Sequence, residues 1–286
     1  MAYTLFLREN YLKKYEQIDA TLYNRIDVTN GLILTASAGY GRQNQLNNNS
    51  DFSFFFQNDD DREFTTNTPG SLAEDDPSLA DHQKFMGLVR LDFTPKQPYV
   101  VRTYRKDLRQ SKWPTFSLEY RHAFPIENEG WSDFSLLSAE INHSFDLGLL
   151  ATLDWFVGSG YFLNTSALHF SDFRHFKSSP LYIDMAGFDD ALMLMDYYEA
   201  STSDYWFHAD AKLTSSYLLI KFLPWFSERL WKESLGITYL YTPQAPHYVQ
   251  MGYSLNEILF LMDLGVYVAF QEGVYKGFGA RLNFRF

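Results

Sequence analysis

"YKGFGARLNFRF", residues 275–286, separates into two lists when every second residue is read. Phe278, Ala280, Leu282, Phe284 and Phe286 make one face; Gly277, Gly279, Arg281, Asn283 and Arg285 make the other. A period of two places successive side chains on opposite sides of a strand, so this stretch reads as a strand with one oily and one polar face. The same alternation recurs along the chain. Gln17–Asp27, Gly31–Gly41, His82–Thr94, Thr115–His122, Phe134–Phe145, Gly148–Phe162, Asp204–Thr214, Glu233–Thr242, His247–Asn256 and Leu259–Phe270 all show it. Together they give about eleven strands and an all-β class.

The composition narrows what such strands can be. A chain of 286 residues can bury a sizeable core. Its net charge of −11 argues against nucleic acid, which needs clustered Lys and Arg. There is no cysteine, hence no disulfide framework, thiolate metal site or cysteine nucleophile. The 26 Phe, 20 Tyr and 6 Trp are more than a soluble domain needs, whereas membrane proteins concentrate aromatics at both water–lipid boundaries. No run of about 18 apolar residues occurs, so no transmembrane helix is expected. The opening MAYTLFLRENYLKKYE lacks the apolar core and small-residue cleavage site of a signal peptide. An exported protein with this start is expected to be a mature form or a fragment of a longer chain.

A soluble sandwich and a transmembrane barrel compete for the alternating pattern. Soluble strands average about five or six residues, whereas barrel strands need about 9–11. The strands here are long, their polar faces carry Gly, Ser, Thr and charges of both signs, and aromatics crowd their ends. The sequence therefore predicts a transmembrane antiparallel β-barrel spanning 1–286. Loop parity agrees. With the last strand running toward the periplasm, the short turns Val28–Gly31, Phe145–Gly148 and Asn256–Ile258 share one side. The long loops 47–81 and 164–203 fall outside, although the inner connections Pro95–Lys112 and Tyr217–Lys232 are longer than expected. Loop 47–81 holds nine acids from Asp51 to Asp81 against one base, Arg62, without the glycine-anchored spacing of a calcium loop.

Catalytic sets are poor. Asn142-His143-Ser144 has the residue types of a barrel lipase, but adjacent strand residues point to opposite faces. The acid–histidine pair of a barrel protease would have to come from Asp81-His82 or Asp189-Asp190, both in polar loops. His169 and His175, with Asp172, lack a third fixed metal ligand. No glycine-rich phosphate loop is present, and neither cofactor nor metal is expected. Arg90, Asp92, Glu119, Arg121, Glu140, Asp154, Asp210, Lys212, Asp263, Arg281 and Arg285 would face the lumen, where pairing or water must compensate their burial.

The runs INHSFDLGLLATLDWFVGSGYFLN (141–164), LHFSDFRHF (168–176) and YLYTP (239–243) resemble a Bacteroidota family of outer-membrane proteins of unknown function. The resemblance runs from about residue 10 to the end. Members of that family carry an N-terminal carboxypeptidase-regulatory-like domain before the barrel. More distantly, the order of strands and loops is similar to the BamA/TamA assembly-factor superfamily, in which a long loop carries an Arg-Gly-Phe motif that folds into the lumen. Phe173-Arg174-His175-Phe176 occupies the matching place, with His175 where the glycine would be. That likeness implies the C-terminal portion of a BamA-like barrel of about 16 strands. It also implies that Phe173, Arg174 and Phe176 pack into the lumen, with Asp210, Asp154 or Glu140 as partner of Arg174. The expected function is non-enzymatic: envelope biogenesis, or insertion or translocation of protein or lipid in a Gram-negative outer membrane. A barrel lipase or protease and a passive solute channel are the alternatives. Partners would be outer-membrane lipid, the barrel-assembly machinery and a protein or lipid client. Phe286 and Phe284 would form the C-terminal aromatic signal read by that machinery.

Overall fold

The computed structural model describes residues 5–6, 8–10, 13–47, 52–56, 64–69, 72, 76–127, 129–181, 183–184, 191–224 and 231–284. Fourteen strands follow one another: β1 (Tyr15–Thr29), β2 (Leu32–Gln45), β3 (His82–Phe93), β4 (Tyr99–Arg102), β5 (Arg105–Leu108), β6 (Thr115–Phe124), β7 (Asp133–Asp146), β8 (Ala151–Ala167), β9 (Ile183–Asp184), β10 (Tyr205–Ser215), β11 (Lys232–Tyr241), β12 (Tyr248–Ile258), β13 (Met262–Gln271) and β14 (Val274–Phe284). All eleven alternating segments are strands. They form one antiparallel meander, to which the two-residue β9 adds parallel to β14 at Leu282 and Asn283.

The sheet differs from the expected barrel in one respect. It is open: β1 and β14 lie at opposite ends of the order, and apart from β9 neither carries a partner on its outer edge among the described residues. Closure would require a further edge to satisfy those backbone groups. The strands β4 and β5 were not anticipated. They make a separate hairpin inside the connection Pro95–Lys112.

β1 is exposed along both faces, but across the rest of the large sheet the covered side of each long strand follows the alternation, with an inverted polarity. On one face Phe85, Val89, Leu91, Phe116, Leu118, Tyr120, Ile237 and Phe278 are exposed. On the other, Ser117, Glu119, Ser138, Gln250, Asp263, Arg281 and Asn283 are buried. The covered face solves its charge problem by pairing. Arg90 reaches Asp92 at 2.8 Å, Glu119 at 3.4 Å and Glu140 at 3.3 Å, and Arg121 takes Glu119 at 2.6 Å. Asn283 donates to Asp263 at 2.9 Å.

Turns set the register. The β13–β14 hairpin has a two-residue loop, Glu272-Gly273, with φ of 52° and 78°, the left-handed pair that matches strand twist. Gly31, at φ 86°, leaves no room for a side chain, since a Cβ there would lie 2.2 Å from the Thr94 carbonyl oxygen. The apolar core is small and sits between the covered face and the segment 168–204. Leu192 and Met195 pack there on Leu240, Tyr248 and Ala269, and a second cluster joins Ala123, Phe134, Leu136 and Phe162.

Candidate functional site

The segment linking β8 to β10 does not project away from the sheet. It folds over the covered face and is held at three places, each by side chains that the strand alternation aims at it.

The first is a buried ionic anchor. Asp172 accepts from Lys84 of β3 and, at 2.8 Å, from the hydroxyl of Ser132. His82 Nε2 lies 3.4 Å from the same carboxylate, while its Nδ1 sits 3.0 Å from the Ala80 carbonyl. A carbonyl and a carboxylate both only accept, so the ring donates to the two together only when both of its nitrogens carry protons. Burial alone would push the Asp172 carboxyl up. The His82 hydrogen bond and Lys84 outweigh it and hold the group at about 2. His169 stacks on His82 with centroids 3.8 Å apart and planes 4° off parallel. Burial, with His82 and Lys84 nearby, lowers His169 to about 4. His82, His169 and Asp172 place one ligand atom each within 4.8 Å of one another, which supplies the third residue missing from the spacing in sequence. The geometry still fits a metal poorly. Lone pairs of parallel stacked rings do not converge, and Lys84 already occupies the carboxylate.

The second place is Arg174. Its backbone forms a bridge with Thr202, donating at 2.9 Å and accepting at 3.1 Å. Its guanidinium lies 4.6 Å over the ring of Trp206 and 5.5 Å from that of Phe176. Nε has no hydrogen-bond partner among the described residues. The expected carboxylates are engaged elsewhere among the described residues: Glu140 with Arg90, and Asp210 with His208 at 2.7 Å and Thr238 at 2.5 Å. Asp154 stands opposite Lys212 in the β8–β10 register. An indole face thus stands where a carboxylate was anticipated. Burial lowers the Arg174 guanidinium, Glu140 and Glu119 raise it, and Arg121 lowers it further. Phe173 packs on Phe170, and His175 contacts Phe170, Tyr198 and, at 2.7 Å, the Ser201 hydroxyl. Burial brings His175 down to about 4. Trp206 itself is 1% exposed and fills the space over Gly160, where a Cβ would meet its Nε1 at 2.6 Å.

The third place binds the backbone of the segment's return. Gln250 Oε1 accepts from the Met193 amide at 2.7 Å, and its Nε2 donates to the Ala191 carbonyl at 3.2 Å. Arg281 donates to the Met193 carbonyl through Nη2 at 2.6 Å and Nε at 3.1 Å. Irregular backbone over a polar face must find such partners or water.

Between these anchors a cavity of about 500 Å³ remains, bordered by Glu140, Asp154, Arg174, Lys177, His208 and Asp210. A smaller one of about 240 Å³ lies nearer the short turns under Tyr267. The larger cavity carries charges of both signs and is also lined by Asn142, His143 and Ser144. In the lipase-type set that the sequence disfavours, His143 stacks on Phe145, and no hydrogen bond joins it to Ser144 among the described residues. Phe284 is the last described residue of β14, Arg285 and Phe286 lie outside the described residues, and so do Asp189 and Asp190. Sequence reasoning missed Lys84, Ser132, Trp206 and Gln250, and weighed His82 only as a partner of Asp81. Their covered-face parity was visible, but the partner segment was not.

No curated protein matches the chain. A family model described as the C-terminal domain of a family of unknown function, DUF5686, matches residues 1–255. The match takes in β1 to β11, most of β12 and all three anchors apart from Arg281, and the chain belongs to that family.

Proposed function

We propose that this chain is a membrane-embedded β-sheet of a Gram-negative outer membrane, forming most of the wall of a BamA-like barrel whose lumen is occupied by its own segment 168–204. The observation that carries the reading is the inverted polarity of the sheet: large apolar side chains exposed, ion pairs and amides covered. In water an apolar face of this extent would drive association. In a bilayer the same face is solvated, and the polar face is the one that must be hidden. The role is non-enzymatic, in envelope biogenesis or the insertion or passage of protein or lipid. The seated segment keeps the lumen shut, and the open edges of β1 and β14 accept the strands that close the wall or a client strand. The Bacteroidota source and the outer-membrane assembly signal are proposed from the sequence resemblance alone, and neither depends on the sheet geometry.

The test is extraction and heat-modifiable migration. The protein should leave membranes only with detergent and should run faster unheated than boiled on a denaturing gel. Release by salt or carbonate alone, with identical migration, would sink the proposal.

A further inference from the structure

The antiparallel meander gives the sheet two unlike ends. β2 and β3 are joined at the end that carries segment 168–204, through a stretch acidic in sequence, whereas the short-turn end is basic and oily. Between β3 and β6, residues 96–113 contain six bases (Lys96, Arg102, Arg105, Lys106, Arg109 and Lys112) and one acid, Asp107, in a chain of net charge −11. The hairpin β4–β5 carries three of them, Arg102, Arg105 and Lys106, the last paired with Asp27 at 2.6 Å. Asp107 receives the Nε groups of Arg102 and Arg105 at 2.8 Å each, so one carboxylate orients two guanidiniums whose side chains remain 59% and 72% exposed. A guanidinium held through Nε keeps its outer N–H fork free for an oxyanion. Lys106 and Lys96 lie over the rings of Tyr99 and Trp113 at 4.7 and 5.7 Å, and Tyr104 at the tip is 98% exposed.

Three other connections at this end expose Leu149, Phe222, Leu259 and Phe260. One of them is built against its own backbone. Leu259 and Phe260 sit at φ of 51° and 61°, the left-handed region where Asn-Gly is favoured and bulky side chains are strained. A turn that accepts that strain to present Leu and Phe outward has a use for them.

We infer that the short-turn end is a docking surface for anionic phospholipid. The Leu and Phe tips enter the boundary between acyl chains and headgroups, and the hairpin guanidiniums bind headgroup phosphates. This rests on the membrane reading above. An acidic polypeptide would use the bases but gives no reason for apolar tips spread over three separate turns, so lipid is the better occupant.

The experiment reconstitutes the full chain into phosphatidylcholine vesicles with and without phosphatidylglycerol and reads the midpoint of heat-modified migration. Phosphatidylglycerol should raise the midpoint by a few degrees, and added salt should remove the rise. Arg102→Gln with Arg105→Gln should abolish most of the rise while leaving the midpoint in phosphatidylcholine unchanged. Leu259→Asn with Phe260→Gly relieves the turn, so it should fold, yet it should also lose much of the rise. An undiminished rise in both variants overturns the inference. So does an equal rise produced by soluble polyglutamate, which would assign the hairpin to an acidic polypeptide. Insertion into both vesicles with no response to phosphatidylglycerol removes this inference alone, whereas failure to insert into either removes the membrane reading with it.

Discussion

Trp206 shows what a single side chain contributes to the seat of segment 168–204. It lies across Gly160 of β8 on one side and under Arg174 on the other, so one indole fills a glycine gap and solvates a cation. A cation–π contact of this kind contributes on the order of 1–2 kcal/mol when desolvated. Trp206→Ala should therefore cost about 3–5 kcal/mol from the buried volume and the lost platform together. Chemical unfolding in detergent checks it, and a loss below about 1 kcal/mol would show that the segment is seated by its backbone alone. Gly158 and Gly160 were readable as gaps in the polar face of β8. That a Trp from the neighbouring strand fills one of them was not, because alternation fixes a residue's side but says nothing of its reach.

At the scale of elements, the segment is a polar device fastened by groups that titrate. Asp172 has its pKa lowered to about 2 from 3.8, so its contribution is complete above about pH 4 and is lost as the pH falls through 2. His169 and His175 work in a different window. Their unfolded forms take up protons below about 6.5, whereas the seated forms resist until about 4, so stability drains away between those values. For the more deeply buried His175 the loss is roughly 3 kcal/mol. Proteolytic cleavage within 168–204 should rise as the pH is lowered from 7 to 5, and His169→Gln with His175→Gln should flatten that rise. A pH-independent cleavage rate in the native chain would contradict the assignment. The strands themselves were legible because a period of two survives in short stretches. The anchors were not, since His82 and Asp172 are ninety residues apart in sequence and nothing local marks them as a pair.

For the whole molecule, the open sheet and the placement of β9 make a further prediction. The chain has no cysteine, so a pair introduced at Ile183 and Leu282 reports one contact without background. Neighbouring strands lie within disulfide reach, and a bridge closing a loop of about a hundred residues should add about 4 kcal/mol. Oxidation should therefore produce a faster-migrating, more heat-resistant species; absence of the cross-link would place β9 elsewhere. That the sheet has eleven long strands could be read from alternation, and that its ends stay apart could not, because edge pairing leaves no periodic trace. The same contact carries a consequence in time. Ile183 meets Leu282, and Met193 meets Arg281, so the middle of the chain cannot finish folding until its last strand has arrived. A truncated or stalled chain would keep its clasp unfastened and its polar face bare. The seated segment thus acts as a completion mark, set only on molecules whose final strand is in place.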